Sequence, residues 1–297
     1  MRKLLCAALL LATFSHAYSQ EGGLLDLLGE EEPTVDYATA GFKTTRIING
    51  HSFEMNAQGV LDFKISHRFG RLNTGAYELF GLDAASIRLG LDYGVTPWLN
   101  VGIGRSSFQK TYDGFIKLKP LRQQTGKRNI PVSVLWVSDM AVVSQRNTNT
   151  ALEPYYFSHR LNYTHQLIVG RKFSDAFSLQ LMPSLVHRNL VPTAEIANSV
   201  MVLGAGGRVK LTRRVALNVE YYYVLPNQID RRFKNSLSVG FDIETGGHVF
   251  QLHFTNSTAM VENAFMTQTT GDWLNGDIHF GFNVSRVFTV YRPKRKD

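Results

Sequence analysis

Cysteine is nearly absent: the chain has one, Cys6, and it lies in a leader-like start. A lone thiol excludes disulfides, thiolate–zinc sites and covalently attached haem, and cleavage of the leader would exclude thiol catalysis as well. Long apolar runs are missing too. After the first twenty residues nothing is apolar enough to cross a bilayer as a helix. His-Glu-x-x-His, calcium-loop and phosphate-cradling glycine patterns do not occur. Nor does an arginine-rich helix or an aromatic–basic motif for nucleic acid. The expectation is a non-enzymatic chain with no catalytic set, no metal, no cofactor and no nucleic-acid partner.

Met1-Arg2-Lys3 leads into a short apolar core from Leu4 to Phe14, which reads as a secretory signal. Cleavage after Ala17 or Ser19 is open. The latter is preferred, because Ala17 and Ser19 are small at both required positions, and it makes 1–19 the signal peptide. Basic residues number 32 against 24 acidic, a net +8. Part of the excess lies in a C-terminal tail, 290–297, with Arg292-Pro293-Lys294-Arg295-Lys296. A basic tail can meet anionic lipid, but a solvated terminus is the preferred account.

What the chain does have is alternation. Asp62-Phe63-Lys64-Ile65-Ser66-His67-Arg68-Phe69 and Ile87-Arg88-Leu89-Gly90-Leu91-Asp92-Tyr93 place apolar and polar residues on opposite faces of strands. Such segments recur near 60–69, 85–93, 98–105, 113–120, 131–144, 160–172, 177–188, 200–211, 215–225, 236–244, 248–256 and 277–288. Tight connections at 94–97, 173–176, 212–214 and 245–247 alternate with long ones at 70–84, 145–159, 189–199, 226–235 and 257–276. Only 121–130 is long where a tight turn is expected. Tight turns on one side and long loops on the other mark outer-membrane barrels. The fold expected is all-β: an antiparallel up-and-down transmembrane β-barrel of about 12 strands. A β-sandwich or a large lipocalin-like barrel is the soluble alternative. The barrel spans 59–289 and follows an N-terminal extension, 20–58, that is periplasmic or lies in the lumen. An even strand count puts both termini in the periplasm.

The lipid face expected from this pattern includes Leu61, Phe63, Ile65, Ile87, Leu89, Leu91, Leu179, Leu181, Phe250, Leu252, Phe254 and Phe280. Tyr93, Trp98, Phe69, Tyr221 and Tyr223 fall nearer strand ends, where aromatic girdles belong. Lumen-lining candidates on the opposite face are Asp62, Lys64, Arg68, Arg88, Asp92, Arg208, Lys210, Glu220, Asp242, Gln251, His253 and His279. Lys117, Lys119 and Glu244 share that face. Lys64, Arg68 and Arg88 form a basic ladder that would attract anions; pairing with Asp62 and Asp92 is the favoured account. His253 and His279 sit on consecutive strands and could meet, with ordinary hydrogen bonding favoured over a functional pair. Tyr163-Thr164-His165-Gln166 resembles the histidine segment of outer-membrane phospholipases. Leu167, however, stands where their serine belongs, so the histidine has no nucleophile to activate. Gly204-Ala205-Gly206-Gly207 inside a strand pattern marks close packing or curvature.

Residues 24–32 form a short acidic amphipathic stretch that Pro33 stops. The plain reading of the extension is a flexible lead-in. A helix that plugs the lumen or docks on a partner is the alternative, and Phe42 to Ile48 could add a strand or enter the lumen. Four segments resemble an uncharacterised β-barrel family of Bacteroidetes, the domain-of-unknown-function family 5777. They are Phe42-Lys43-Thr44-Thr45-Arg46-Ile47-Ile48-Asn49-Gly50-His51, Ile65-Ser66-His67-Arg68-Phe69-Gly70, Pro183-Ser184-Leu185-Val186-His187-Arg188-Asn189 and the run from Gly246 to Asn256. The resemblance implies a Gram-negative outer-membrane barrel and brings no substrate or catalytic residue. The role expected is a passage or binding barrel for a small polar solute, surrounded by outer-membrane lipid. The alternatives are a closed interaction barrel whose extension engages a periplasmic protein and, more weakly, an enzyme.

Overall fold

Alternation closes on itself in the computed structural model, which describes residues 34–148, 154–191, 193 and 196–292. The expected signal peptide, the stretch 20–33 and the last five residues of the basic tail lie outside the described residues. Twelve antiparallel strands form one closed barrel. They are β1 Val60–Arg71, β2 Ala85–Thr96, β3 Leu99–Ser106, β4 Thr111–Leu121, β5 Ser133–Val143, β6 Leu161–Lys172, β7 Phe177–Arg188, β8 Ser199–Lys210, β9 Val215–Val224, β10 Ser236–Thr245, β11 His248–Thr255 and β12 His279–Thr289. Pairing of β12 with β1 completes the wall, so no edge is left open.

Most strands bury every second residue and leave the others more exposed. In β7, for example, Ser178, Gln180, Met182, Ser184, Val186 and Arg188 point inward while Leu179, Leu181 and Leu185 face out. Strands of 8–12 residues suit a tilted crossing of the hydrocarbon layer. No helix among the described residues is long and apolar enough to cross a membrane. The polar inner face and apolar outer face therefore follow from a period of two on a closed sheet.

The connections follow the expected alternation with two exceptions. Between β3 and β4 only Ser107–Lys110 intervene, on the rim that otherwise carries long loops. The alternation had shown only one exception, and this is a second. Gln109 and Lys110 adopt left-handed φ of 51° and 49°, which turns the chain in little space. The other exception, between β4 and β5, is long because it is a clasp. Gln124–Gly126 pairs antiparallel with Val35–Tyr37, and Arg122 stacks over the Tyr37 ring at 4.1 Å.

Two inserts fill the lumen. The first, residues 38–58, enters from the tight-turn rim and doubles back as a hairpin: Arg46 bridges His51, and the Ile47 N–H donates to the Gly50 carbonyl at 2.8 Å. The part of the extension seen here is thus an ordered plug rather than a flexible lead-in. The second insert descends from the long connection between β11 and β12. It carries the short helix α1, Glu262–Thr267, all six of whose residues are buried. Phe42, Ile47, Ile48 and Phe53 of the plug and Phe265 and Met266 of α1 form one apolar cluster with Leu135, Ile168, Met182, Val202 and Tyr222 of the wall. Burying each such side chain contributes about 1.5–3 kcal/mol, so the inserts are held by packing as well as by polar contacts.

Candidate functional site: the plugged lumen

The plug is an irregular hairpin, and its backbone would be costly to bury without partners. Side chains from around the wall supply them. The Gln180 amide accepts from the Phe53 N–H at 2.9 Å and donates to the His51 carbonyl at 2.7 Å. Gln251 and Asn283 donate to the carbonyls of Ile47 and Ile48. Lys117 reaches the carbonyls of Thr45 at 3.2 Å and Glu54 at 2.7 Å, and Lys119 that of Phe53 at 2.8 Å. Arg208 donates to the carbonyls of Ala40 and Gly41, both at 3.2 Å.

Two carboxylates latch the plug. At its tip the Glu220 carboxylate accepts the N–H groups of Ile48, Asn49 and Gly50 at 3.3, 2.8 and 3.1 Å. Lower down, Glu262 of α1 accepts from Arg46 at 2.6 Å and lies 3.2 Å from His51 Nε2, which joins the two inserts. Burial, and then the nearby Arg46 charge, push His51 down to about 3. Burial alone would raise the Glu262 carboxyl, but Arg46 and His51 outweigh it and hold it well below the usual carboxylate range.

Close approach between plug and wall depends on inward glycines. A Cβ on Gly206 would stand 2.2 Å from Ile47 Cδ1, and one on Gly170 would stand 2.1 Å from the Phe53 ring. Within the 204–207 run Gly206 thus makes room for the insert, while Gly204 makes room for the Tyr222 ring of the wall.

All twelve residues anticipated for the lumen face inward. Asp62 and Asp92 oppose each other across β1–β2, and Lys64 ion-pairs with both, 3.1 Å from Asp62. Asp62 also accepts from Ser285 at 2.6 Å. Arg88 pairs instead with Asp113, its Nε–H donating at 3.0 Å. Arg68 departs from the paired pattern. It donates to Asn49 at 2.6 Å, Asn283 at 3.1 Å and the His67 carbonyl at 2.9 Å. Asp242 accepts from Gln251 at 2.6 Å. Lys210 lies half-buried at the tight-turn rim. His253 opposes Gly281 whereas His279 opposes Thr255, so the two rings are offset by two positions. His279 Nδ1 meets the Phe69 carbonyl at 2.9 Å instead. No group of three His, Cys, Asp or Glu able to hold a metal ion occurs among the described residues.

Sequence reasoning did not single out Arg46, His51 and Glu262, because neither insert carries a periodic signal. It also missed Asp113, although Asp113, Phe115 and Lys117 alternate inward along β4. On the outer face, Ser138 Oγ lies 2.9 Å from His165 Nδ1, with Trp136 stacked on the imidazole. The hydroxyl comes from the neighbouring strand, where linear spacing does not look. His187 and Ser199 repeat the arrangement at 2.9 Å. Facing apolar surroundings, each imidazole satisfies one ring nitrogen locally.

Gaps remain between plug and wall. A cavity of about 400 Å³ opens at the tight-turn rim between Lys43, Glu54 and Asn56 of the plug and Asp62, Glu244 and His248 of the wall. A narrow space of about 20 Å³ continues inward past Thr44 and Ile48 along Lys64, Gln251 and Asn283.

A closed twelve-strand wall, apolar outside and polar within, defines a membrane-bound β-barrel. The family described as "Membrane bound beta barrel domain (DUF5777)" matches residues 42–288, and the chain belongs to it. The match takes in the plug from Phe42 onward. No curated protein matches the chain. Among solved structures it is similar to the NanC porin, at 8% identity and TM-score 0.47, over 76% of this chain and 98% of that one. The KdgM porin gives 9% identity and TM-score 0.47, over 77% and 99%. An outer membrane channel, COG4313, from Pseudomonas putida F1 gives 10% and 0.43, over 79% and 97%. At these identities the likeness is one of fold alone.

Proposed function

We propose that this protein is a plugged passage of the outer membrane for a small polar solute, closed in the state described. Both chain ends and the clasp then lie on the periplasmic side, behind a cleaved signal peptide. The observation that carries the reading is the polar sector of β10–β12 and β1–β4. Its inward charges and amides would be costly in a permanently dry interior, where apolar packing serves as well or better. They suit a lumen that is hydrated whenever the plug shifts. The role is proposed as non-enzymatic. Planar-bilayer conductance tests the proposal: the full chain should be nearly silent, and a chain lacking 20–58 should carry ion current. Silence in both would sink it.

The filled lumen also favours a second reading, a closed barrel that signals through its extension. Val35–Tyr37, clasped outside the wall, would be the segment a periplasmic partner takes hold of. Retention of a periplasmic protein that depends on 20–37, in a barrel that never conducts, would support this second reading.

A further inference from the structure

The long-loop rim holds a cavity of about 350 Å³ over the end of β1 and β2. Arg68, Ser86, Ser107 and Thr258 provide its polar lining, and no carboxylate borders it. Arg68 is 1% exposed and has no carboxylate within 4 Å among the described residues, unlike Arg46, Lys64 and Arg88, which all have one. Its Nε–H is buried without an acceptor. Ser107 Oγ accepts the Ile87 N–H at 2.9 Å and donates to Ser86 Oγ at 3.3 Å, which leaves the Ser86 hydroxyl proton for another acceptor. Thr258 adds a third hydroxyl from the second insert.

We propose that this cavity binds a small oxyanion, a carboxylate, sulfate or phosphate group, through Arg68 and the hydroxyls of Ser86, Ser107 and Thr258. A buried guanidinium with no carboxylate in contact is costly, and a ligand that carries only acceptors relieves it. The cavity on the opposite rim has the other character, with Glu54, Asp62 and Glu244 around a single lysine. This inference deepens the passage reading by naming an anionic solute, and it rests on that reading for the route. Binding itself is measured on the plugged protein.

The test is calorimetric titration of the detergent-solubilised full chain with inorganic phosphate, with choline chloride at matched ionic strength as the cationic control. Saturable phosphate binding is expected, weakened about tenfold or more by Arg68→Gln and only about threefold by Arg68→Lys. Arg188→Gln, a buried arginine outside the cavity, should leave it unchanged. Equal affinity in Arg68→Gln, or no saturable binding by the parent chain, overturns the assignment. Should Arg68→Gln fail to fold, Thr258→Val removes a hydroxyl at constant shape and is expected to weaken binding about threefold; an unchanged affinity there overturns it equally. A barrel that binds phosphate but never conducts keeps the site and loses the passage, and the converse result separates them the other way.

Discussion

Two sectors of the same wall face the same plug with different chemistry. From β5 to β9 the inner face sets Leu135, Ile168, Met182, Val186, Val200, Val202 and Tyr222 among polar residues such as Asp139, Gln180, Arg208 and Glu220, so that sector alone presents an apolar surface of any size to the plug. From β10 through β12 to β4 the buried inward residues are charged or polar, and the only large apolar one among those described is Phe115. The first sector is a seat: it holds Ile47, Ile48, Phe53 and α1 by close packing, with Gln180, Arg208 and Glu220 adding hydrogen bonds to the plug backbone. The second is held to the plug by ion pairs and amide contacts, and the inward gap past Lys64 and Gln251 runs along it. A packed contact loses about a quarter to a half of its attraction when a gap of about 0.5–1 Å opens, and nothing replaces it, whereas polar side chains can exchange a lost partner for water. On the proposed reading as a passage, the contrast predicts opening on the polar side while the seat keeps its hold longest.

Breaking the junction of the inserts should have the largest effect. Glu262→Ala strands Arg46 and His51 in a buried site and should cost about 3–5 kcal/mol. Limited proteolysis is expected to cut within 38–58 while the barrel still migrates as a compact species in unboiled gels. Glu220→Gln tests the tip latch: weakening three charge-assisted bonds should cost about 1–3 kcal/mol and loosen the tip. If its proteolytic pattern matches the parent's, Glu220 is not a latch. Gly206→Val attacks the seat by crowding Ile47, at about 1–3 kcal/mol. If it loosens the plug less than Ser285→Ala on the polar side does, the division of labour between sectors is wrong.

Acidity gives a graded version of the first test. His51 stays neutral when folded down to about 3 but gains a proton near pH 6.5 when released. Between those values the released form binds more protons, so the plug weakens as pH falls, by about 1.4 kcal/mol per unit. Glu262, held below the usual carboxylate range, adds to the same trend once pH drops below that range. Protease sensitivity of 38–58 should rise from pH 7 to 5, and a flat profile would count against the junction. Ser138→Ala should have the smallest effect, about 1 kcal/mol or less and no change in conductance. Loss of any hydrolytic activity on lipid in that variant would instead reopen the enzyme question.

Much of the wall was legible because β1, β2 and β11 keep strict alternation, with charge on one face and Leu, Ile or Phe on the other. The seat was harder to read. In Ser199–Lys210, Val200 and Val202 point in while Met201 and Leu203 point out, so alternation fades into an almost continuous apolar run. Such a strand says that both faces are covered but not by what. The plug and α1 were illegible for a different reason. Their contacts join residues far apart in sequence, Asn49 with Glu220 and Arg46 with Glu262, and no local period records them. Arg68 was identified as a lumen cation, yet that it lacks a carboxylate while Lys64 and Arg88 have one depends on cross-strand register.

The plug hairpin also has consequences for biogenesis. Residues 38–58 emerge from the ribosome ahead of every strand, yet the groups that hold them come from β4, β7, β9 and β11 to β12 and from α1. Until β12 reaches β1 there is no enclosed space for the hairpin to occupy, and afterwards the only way in is past a finished rim. An assembly route that lays the hairpin on the incomplete sheet and then wraps the last strands around it avoids that threading step. In such a route the earliest part of the polypeptide acts as an internal mandrel, and the newborn barrel is delivered to the membrane already shut.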